Sequence, residues 1–160
     1  MQSQLRMKTK NLRSKMFDII LNEQTPKVED EVVLNDENVT KLKYFFNYST
    51  NLHSAAGLAA NQTSLNGERF QIRAFMMRLG KLPILCVNPK IEKTFGWKLK
   101  KDEGCLTWPG RRISADRHMS ISVSYFDING KQYNKMLRGL PSQIFQHELN
   151  HIDGVEEKVI

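Results

Sequence analysis

The stretch Gln146-His147-Glu148-Leu149-Asn150-His151 decides how this chain is read. On a helix, residues four apart project from nearly the same face, so His147 and His151 can grip one ion while Glu148 reaches a water bound to it. The chemistry this spacing points to is metal-assisted hydrolysis. At average residue usage a chain of this length shows the pattern by chance in under about 1 % of cases. The plain alternative is a surface helix that carries two histidines and a carboxylate. The flanks argue against it. Pro141 suits the first position of a helix, Ile144 shares a stripe with His147, Glu148 and His151, and Phe145, Leu149 and Ile152 form a neighbouring stripe. A helix that is apolar on one side and chemically active on another belongs against a sheet, and Gly154 ends it.

Working outward, Ile121, Val123 and Tyr125 alternate with Ser122, Ser124 and Phe126 ahead of Asp127-Ile128-Asn129-Gly130. Asn-Gly is a strong hairpin signal, so a return strand through about Leu137 is expected. Phe70 to Met77, and Leu82 to Val87 before Asn88-Pro89, read as strands around a turn near Gly80. Asn35 or Asp36 can cap a helix running to about His53, with Val39, Leu42, Phe45, Phe46 and Leu52 as its apolar stripe. After it, Ser54 to Gln62 is a run of small residues that permits close approach of backbone to a neighbour. Helix and strand blocks are segregated, which predicts an α+β fold with mixed or antiparallel sheets around a central C-terminal metal-binding helix.

The 160 residues suit one globular domain, taken as 17–160, preceded by a basic extension over 1–16. That extension carries Arg6, Lys8, Lys10, Arg13 and Lys15 and no acid, a composition an organellar leader would share; an amphipathic terminal segment explains it equally. The net charge of +7 comes from scattered basic residues with no nucleic-acid motif, so a solvated basic surface is expected rather than a specific nucleic-acid partner. No apolar run has the length of a membrane span. The two cysteines do not suggest a disulfide framework, which points to a reducing compartment.

A catalytic zinc-type site normally has three protein ligands and an open position, so His147 and His151 need a partner. Glu157 lies where one protease pattern places its third histidine. Cys105, within Glu103-Gly104-Cys105-Leu106-Thr107, offers a thiolate, whereas Cys86 in a strand-like run reads as a small hydrophobe. A short metalloprotease using Glu157 is therefore one rival, and a noncatalytic protein that kept the fold is another.

Three blocks, Gly57-Leu58-Ala59-Ala60-Asn61-Gln62, Glu103-Gly104-Cys105-Leu106 and Gln146-His147-Glu148-Leu149-Asn150-His151, resemble in order and spacing the signature motifs of peptide deformylase. The resemblance covers roughly residues 17–155. It implies that Cys105, His147 and His151 bind one divalent metal, with Fe2+ as the usual ion and Zn2+ or Ni2+ able to replace it. It implies Glu148 as general acid and base, and Gln62 with the Leu106 backbone N–H as the oxyanion hole. The implied substrate is an N-formylmethionyl nascent peptide, the products formate and a free N-terminus, and the implied location the cytoplasm, or an organellar matrix if the basic N-terminus is a leader. Gly57, Leu140 and Ile144 are candidates for substrate binding, and Glu103 with Arg117 for an ion pair steadying the Cys105 loop. Ala55 stands where the family's first block has a glycine, Thr63-Ser64 where it has an apolar residue and glycine, and Thr107 where serine is common. The C-terminal extension of many members is missing from this sequence, so ribosome contact through such a tail is not expected, and a weak ribosome association is the partner expectation that stands beside the nascent chains. An iron and thiolate pair is oxygen-sensitive. Activity is therefore expected to be higher in anaerobic than in aerobic preparations; equal activity in both would argue for another metal.

Overall fold

The computed structural model describes residues 17–160; the expected basic extension, 1–16, lies outside the described residues. Helix α1 (Asp36–Thr50) is capped by the Asn35 side chain, which accepts from the Asn38 N–H, and Asp36 and Glu37 set negative charge at its positive end. It stops at Thr50 rather than His53 because the polar run turns on its own backbone. Ser49 donates to the Phe46 carbonyl, and Thr50 and Asn51 both donate to that of Asn47. Ala55, in place of the expected glycine, is buried and is not among the residues with positive φ, so an L-residue fits there.

Strands β1 (Phe17–Ile19), β3 (Thr63–Leu65) and β4 (Glu68–Arg69) form a small antiparallel sheet in the order β1-β3-β4. The larger antiparallel sheet runs through β2 (Gly57–Ala59), β5 (Ala74–Leu79), β6 (Leu82–Gly104), β7 (Arg112–Phe126) and β8 (Gln132–Arg138), in that order. Strand β9 (Lys158–Val159) pairs with the start of β7, Ile113 opposite Val159. Helix α2 (Leu140–Ile152) completes the described elements; Pro141 is its second residue rather than its first.

Two strands differ from expectation. The one expected from Phe70 starts only at Ala74, because Arg73 is drawn off the sheet to the Val28 carbonyl and the Asp153 carboxylate. The one expected to stop at Val87 continues past Pro89. Asn88 takes a left-handed conformation (φ 50°) and its side-chain amide exchanges hydrogen bonds with the Val32 N–H and carbonyl, so a bulge absorbs the proline and pairing resumes at Lys90. The Asn129-Gly130 hairpin forms as expected, with the Asp127 carboxylate accepting from the Asn129 and Lys131 N–H groups.

Alternation along the central strands divides the apolar residues between two cores. Phe75 and Met77, with Ala59, Ile121, Val123 and Leu137, pack against Ile144, Phe145, Leu149 and Ile152 of α2. Ala74 and Met76, with Leu58 and Val87, pack on the opposite side against Leu42 and Phe45 of α1 and Phe17 of β1. Cys86 is fully buried in the first core, as a small hydrophobe would be.

The chain leaves α2 at Gly154 (φ 63°), where a Cβ would lie 2.5 Å from the Lys27 backbone nitrogen. The segment Thr25 to Val28 is thereby packed onto the end of α2, with the Val28 N–H donating to the Ile152 carbonyl and the Asn61 amide bridging the Pro26 and His151 carbonyls. Gly154→Ala should lower stability by about 2–4 kcal/mol, through left-handed strain and the backbone clash together. A urea melt checks this; an unchanged midpoint would mean that the two segments separate freely.

Candidate metal centre

Helix α2 sets the Nε2 atoms of His147 and His151 3.3 Å apart. The far nitrogen of each ring is held. His147 Nδ1 lies 2.9 Å from Glu103 Oε1, and a carboxylate only accepts, so the proton is on Nδ1. Thr25 donates its hydroxyl hydrogen to the His151 carbonyl at 3.1 Å, which leaves its oxygen to accept from His151 Nδ1 at 3.2 Å. These partners assign both neutral rings the tautomer that turns a bare Nε2 lone pair toward one point.

Cys105, in the loop between β6 and β7, brings Sγ to 3.4 Å from His151 Nε2. With bonds of zinc-like length, tetrahedral donors stand about 3.3–3.6 Å from one another, so sulfur and two nitrogens fit a single ion. Burial raises the Cys105 thiol, but hydrogen bonds with His147 and His151 outweigh it and bring the pKa down to about 7. Protons compete with a cation for this place. Burial lowers the two histidines, yet Cys105 and Glu103 hold His147 up at about 10, and Cys105 and Glu157 hold His151 up at about 9.

Glu103, at the end of β6, makes the expected ion pair with Arg117 of β7, at 2.7 Å, and also accepts from Gln143 of α2. Burial raises its pKa, but His147 and Arg117 dominate and hold it at about 2. Glu148 is buried, and its Oε2 has no hydrogen-bond partner. Desolvation raises its pKa, the direction that suits a carboxylate to hold and hand on a proton. Gly57 makes room for it: a Cβ there would lie 3.0 Å from Glu148 Cγ and 3.1 Å from the Met76 carbonyl oxygen.

Gln62, at the end of a short 3-10 turn after β2, is oriented at both ends of its amide. Its Oε1 accepts from the Ala59 N–H at 2.8 Å, and its Nε2 points to Thr107 Oγ1 at 3.0 Å and Cys105 Sγ at 3.5 Å. The Leu106 N–H donates to no backbone carbonyl among the described residues. A cleft of about 520 Å³ opens over Gly57, Gln62, Cys105, Leu106, His147 and Glu148, with Ile144 in its wall and Leu140, 62 % exposed, at its rim.

All nine residues singled out as site candidates thus lie in or against one cleft, His151 behind it. Three contributors escaped the sequence reading because nothing local marks them: Thr25, Gln143 and Trp108, whose indole N–H donates to Glu157; Glu157 itself was weighed there as an alternative to Cys105. The four atoms from Cys105, His147, His151 and Glu157 lie within 4.8 Å of one another.

Glu103→Ala strands the Arg117 guanidinium in the interior and should cost about 3–5 kcal/mol. Because the folded pKa of Glu103, about 2, is below the ordinary 4.5, its contribution is complete above about pH 4.5 and lost as pH falls toward 2. Melts of wild type and Glu103→Gln across that range should converge at the acid end; parallel curves would contradict the assignment.

The family model described as polypeptide deformylase matches residues 7–156. A relative from Cytophaga hutchinsonii named peptide deformylase is 32% identical over 133 residues, 81% of this chain and 72% of its own length. One of the same name from Picosynechococcus is 39% identical over 100 residues, 62% of this chain and 53% of its own. The chain thus spans roughly half to three quarters of such relatives. The solved peptide deformylase of Thermotoga maritima superposes with a TM-score of 0.69 at 27% identity, covering 88% of this chain and 93% of that one. With the family model matching most of the chain and a solved member sharing its fold, the chain belongs to the polypeptide deformylase family.

Proposed function

We propose that this protein is a metal-dependent hydrolase that removes the N-formyl group from the N-terminal formylmethionine of newly made polypeptides, releasing formate. The observation that carries the reading is the unpartnered Glu148 Oε2 beside two imidazoles with fixed tautomers, at the floor of an open cleft. Cys105, His147 and His151 of the central helix and its facing loop would hold one divalent ion, Fe2+ first and Zn2+ or Ni2+ as replacements. When bound, that ion acidifies a water and polarises the formyl carbonyl.

The chain's own groups do the rest. Glu148 takes the proton of the attacking water and returns it to the nitrogen as the C–N bond breaks, leaving formate and a free amine. Gln62 Nε2 and the Leu106 N–H donate to the formyl oxygen as charge gathers on it. Strand β2 is at the edge of the large sheet, so an extended peptide can add along it past Gly57. Leu140 and Ile144 offer apolar surface to the methionine side chain.

In this reading residues 17–160 are one catalytic unit and 1–16 a basic extension. No helix among the described residues is long and apolar enough to cross a membrane. The cytoplasm is the assigned compartment, an organellar matrix if the extension is a leader, with nascent chains as partners and a weak ribosome association compatible with the basic surface. The protease alternative gains from the approach of Glu157, but Cys105 stands at the same point, and the family membership favours the formamide bond.

The test is formate release from a formyl-Met peptide by anaerobically purified, metal-loaded protein. Glu148→Ala should lower kcat by about 10²–10⁴-fold while metal content holds. Folded, metal-loaded wild type that releases no formate would overturn the reading.

A further inference from the structure

We infer that Glu157 is a fourth protein ligand to the metal, approaching from the side away from the cleft. The inference rests on the metal centre proposed above and extends it.

Glu157 Oε1 lies 2.8 Å from His151 Nε2 and 4.0 Å from Cys105 Sγ. Thr25 keeps the ring proton of neutral His151 on Nδ1, so Nε2 is an acceptor facing a carboxylate, itself an acceptor. Two acceptors at that separation repel unless a cation lies between them. A proton can fill the role in the free protein, and a metal ion held by Cys105 and both histidines fills it in the loaded one.

The carboxylate is built into place. Its other oxygen accepts from the Trp108 indole N–H, which leaves Oε1 turned to the cluster. The Gln24 side chain clamps the backbone of Glu157, donating to its carbonyl and accepting from its N–H, each at 3.0 Å. Beyond it, β9 fixes the tail to β7, and the Ile160 N–H donates to the Arg112 carbonyl at 2.8 Å. Burial raises the Glu157 carboxyl, but His151, His147 and Trp108 together outweigh it and lower its pKa.

Cys105, His147, Glu148 and Gln62 line the cleft; His151 and Glu157 do not. A thiolate and a carboxylate together balance the charge of a divalent ion, and with four protein donors a water on the cleft side would make the ion five-coordinate.

Cobalt(II) reports on its ligands through its visible absorption bands, whatever the catalytic activity. In Co2+-loaded wild type and Glu157→Ala, the ligand-field bands should differ in position and intensity, while the near-ultraviolet thiolate band persists in both. Zn2+ affinity, measured by competition with a chromophoric chelator, should fall by about tenfold or more. Superimposable cobalt spectra would overturn the inference even if affinity dropped, since a residue that only hydrogen-bonds His151 also lowers affinity. Glu157→Gln, which keeps contacts to Trp108 and Gln24, gives the same comparison if the alanine variant fails to fold. Cys105→Ala separates the two readings: a lost thiolate band there with unchanged bands in Glu157→Ala defeats only the fourth ligand, whereas wild type that takes up no Co2+ defeats the metal centre as well.

Discussion

A single buried carboxylate ties helix α2 to the sheet beneath it. Glu103 accepts from Arg117 on the neighbouring strand and from Gln143 and His147 on α2. Burying an acid is costly unless every oxygen is paired and a counter-charge lies alongside. Here both conditions hold, and they hold only when strand, loop and helix have assembled in one register. The same hydrogen bond that satisfies Glu103 decides which nitrogen of His147 is bare, so the requirement of the interior and that of the metal are met by one contact. Gln62 works similarly: the Ala59 N–H settles which end of its amide faces the cleft.

The architecture around this point is a sheet used on both faces. One face receives α2 and its histidines, the other α1 and the small sheet, so each face carries its own core. Gly57 is at a tight place, where an edge strand passes Glu148 with little room for a methyl group. The closeness removes water from the buried side of Glu148, and that desolvation is what raises its proton affinity.

Much of the site was legible because helical and loop spacing are local properties. His147 and His151 share a face by geometry alone, Asn129-Gly130 turns by its own backbone preference, and the three motifs resemble a family as blocks. What was not legible depends on contacts distant in sequence. Pro89 reads as a strand stop, and only the hydrogen bonds between Asn88 and Val32 show how a bulge absorbs it. Thr25 has no motif around it, and its role appears only when it meets His151. Glu157 was set against Cys105 as if one place were open, whereas the fold brings both to the same point.

The two ends of the described chain meet behind the metal centre: Thr25 touches His151 across 126 positions, and Gln24 holds Glu157 across 133. Closing loops of that length is an entropic cost met late in folding, after the local hairpins and helices have formed. Orienting His151 and seating Glu157 therefore depend on the longest closures around the site, so a change at Gln24 or Thr25, far from every motif in the sequence, would disturb the atoms grouped at Cys105, His147 and His151.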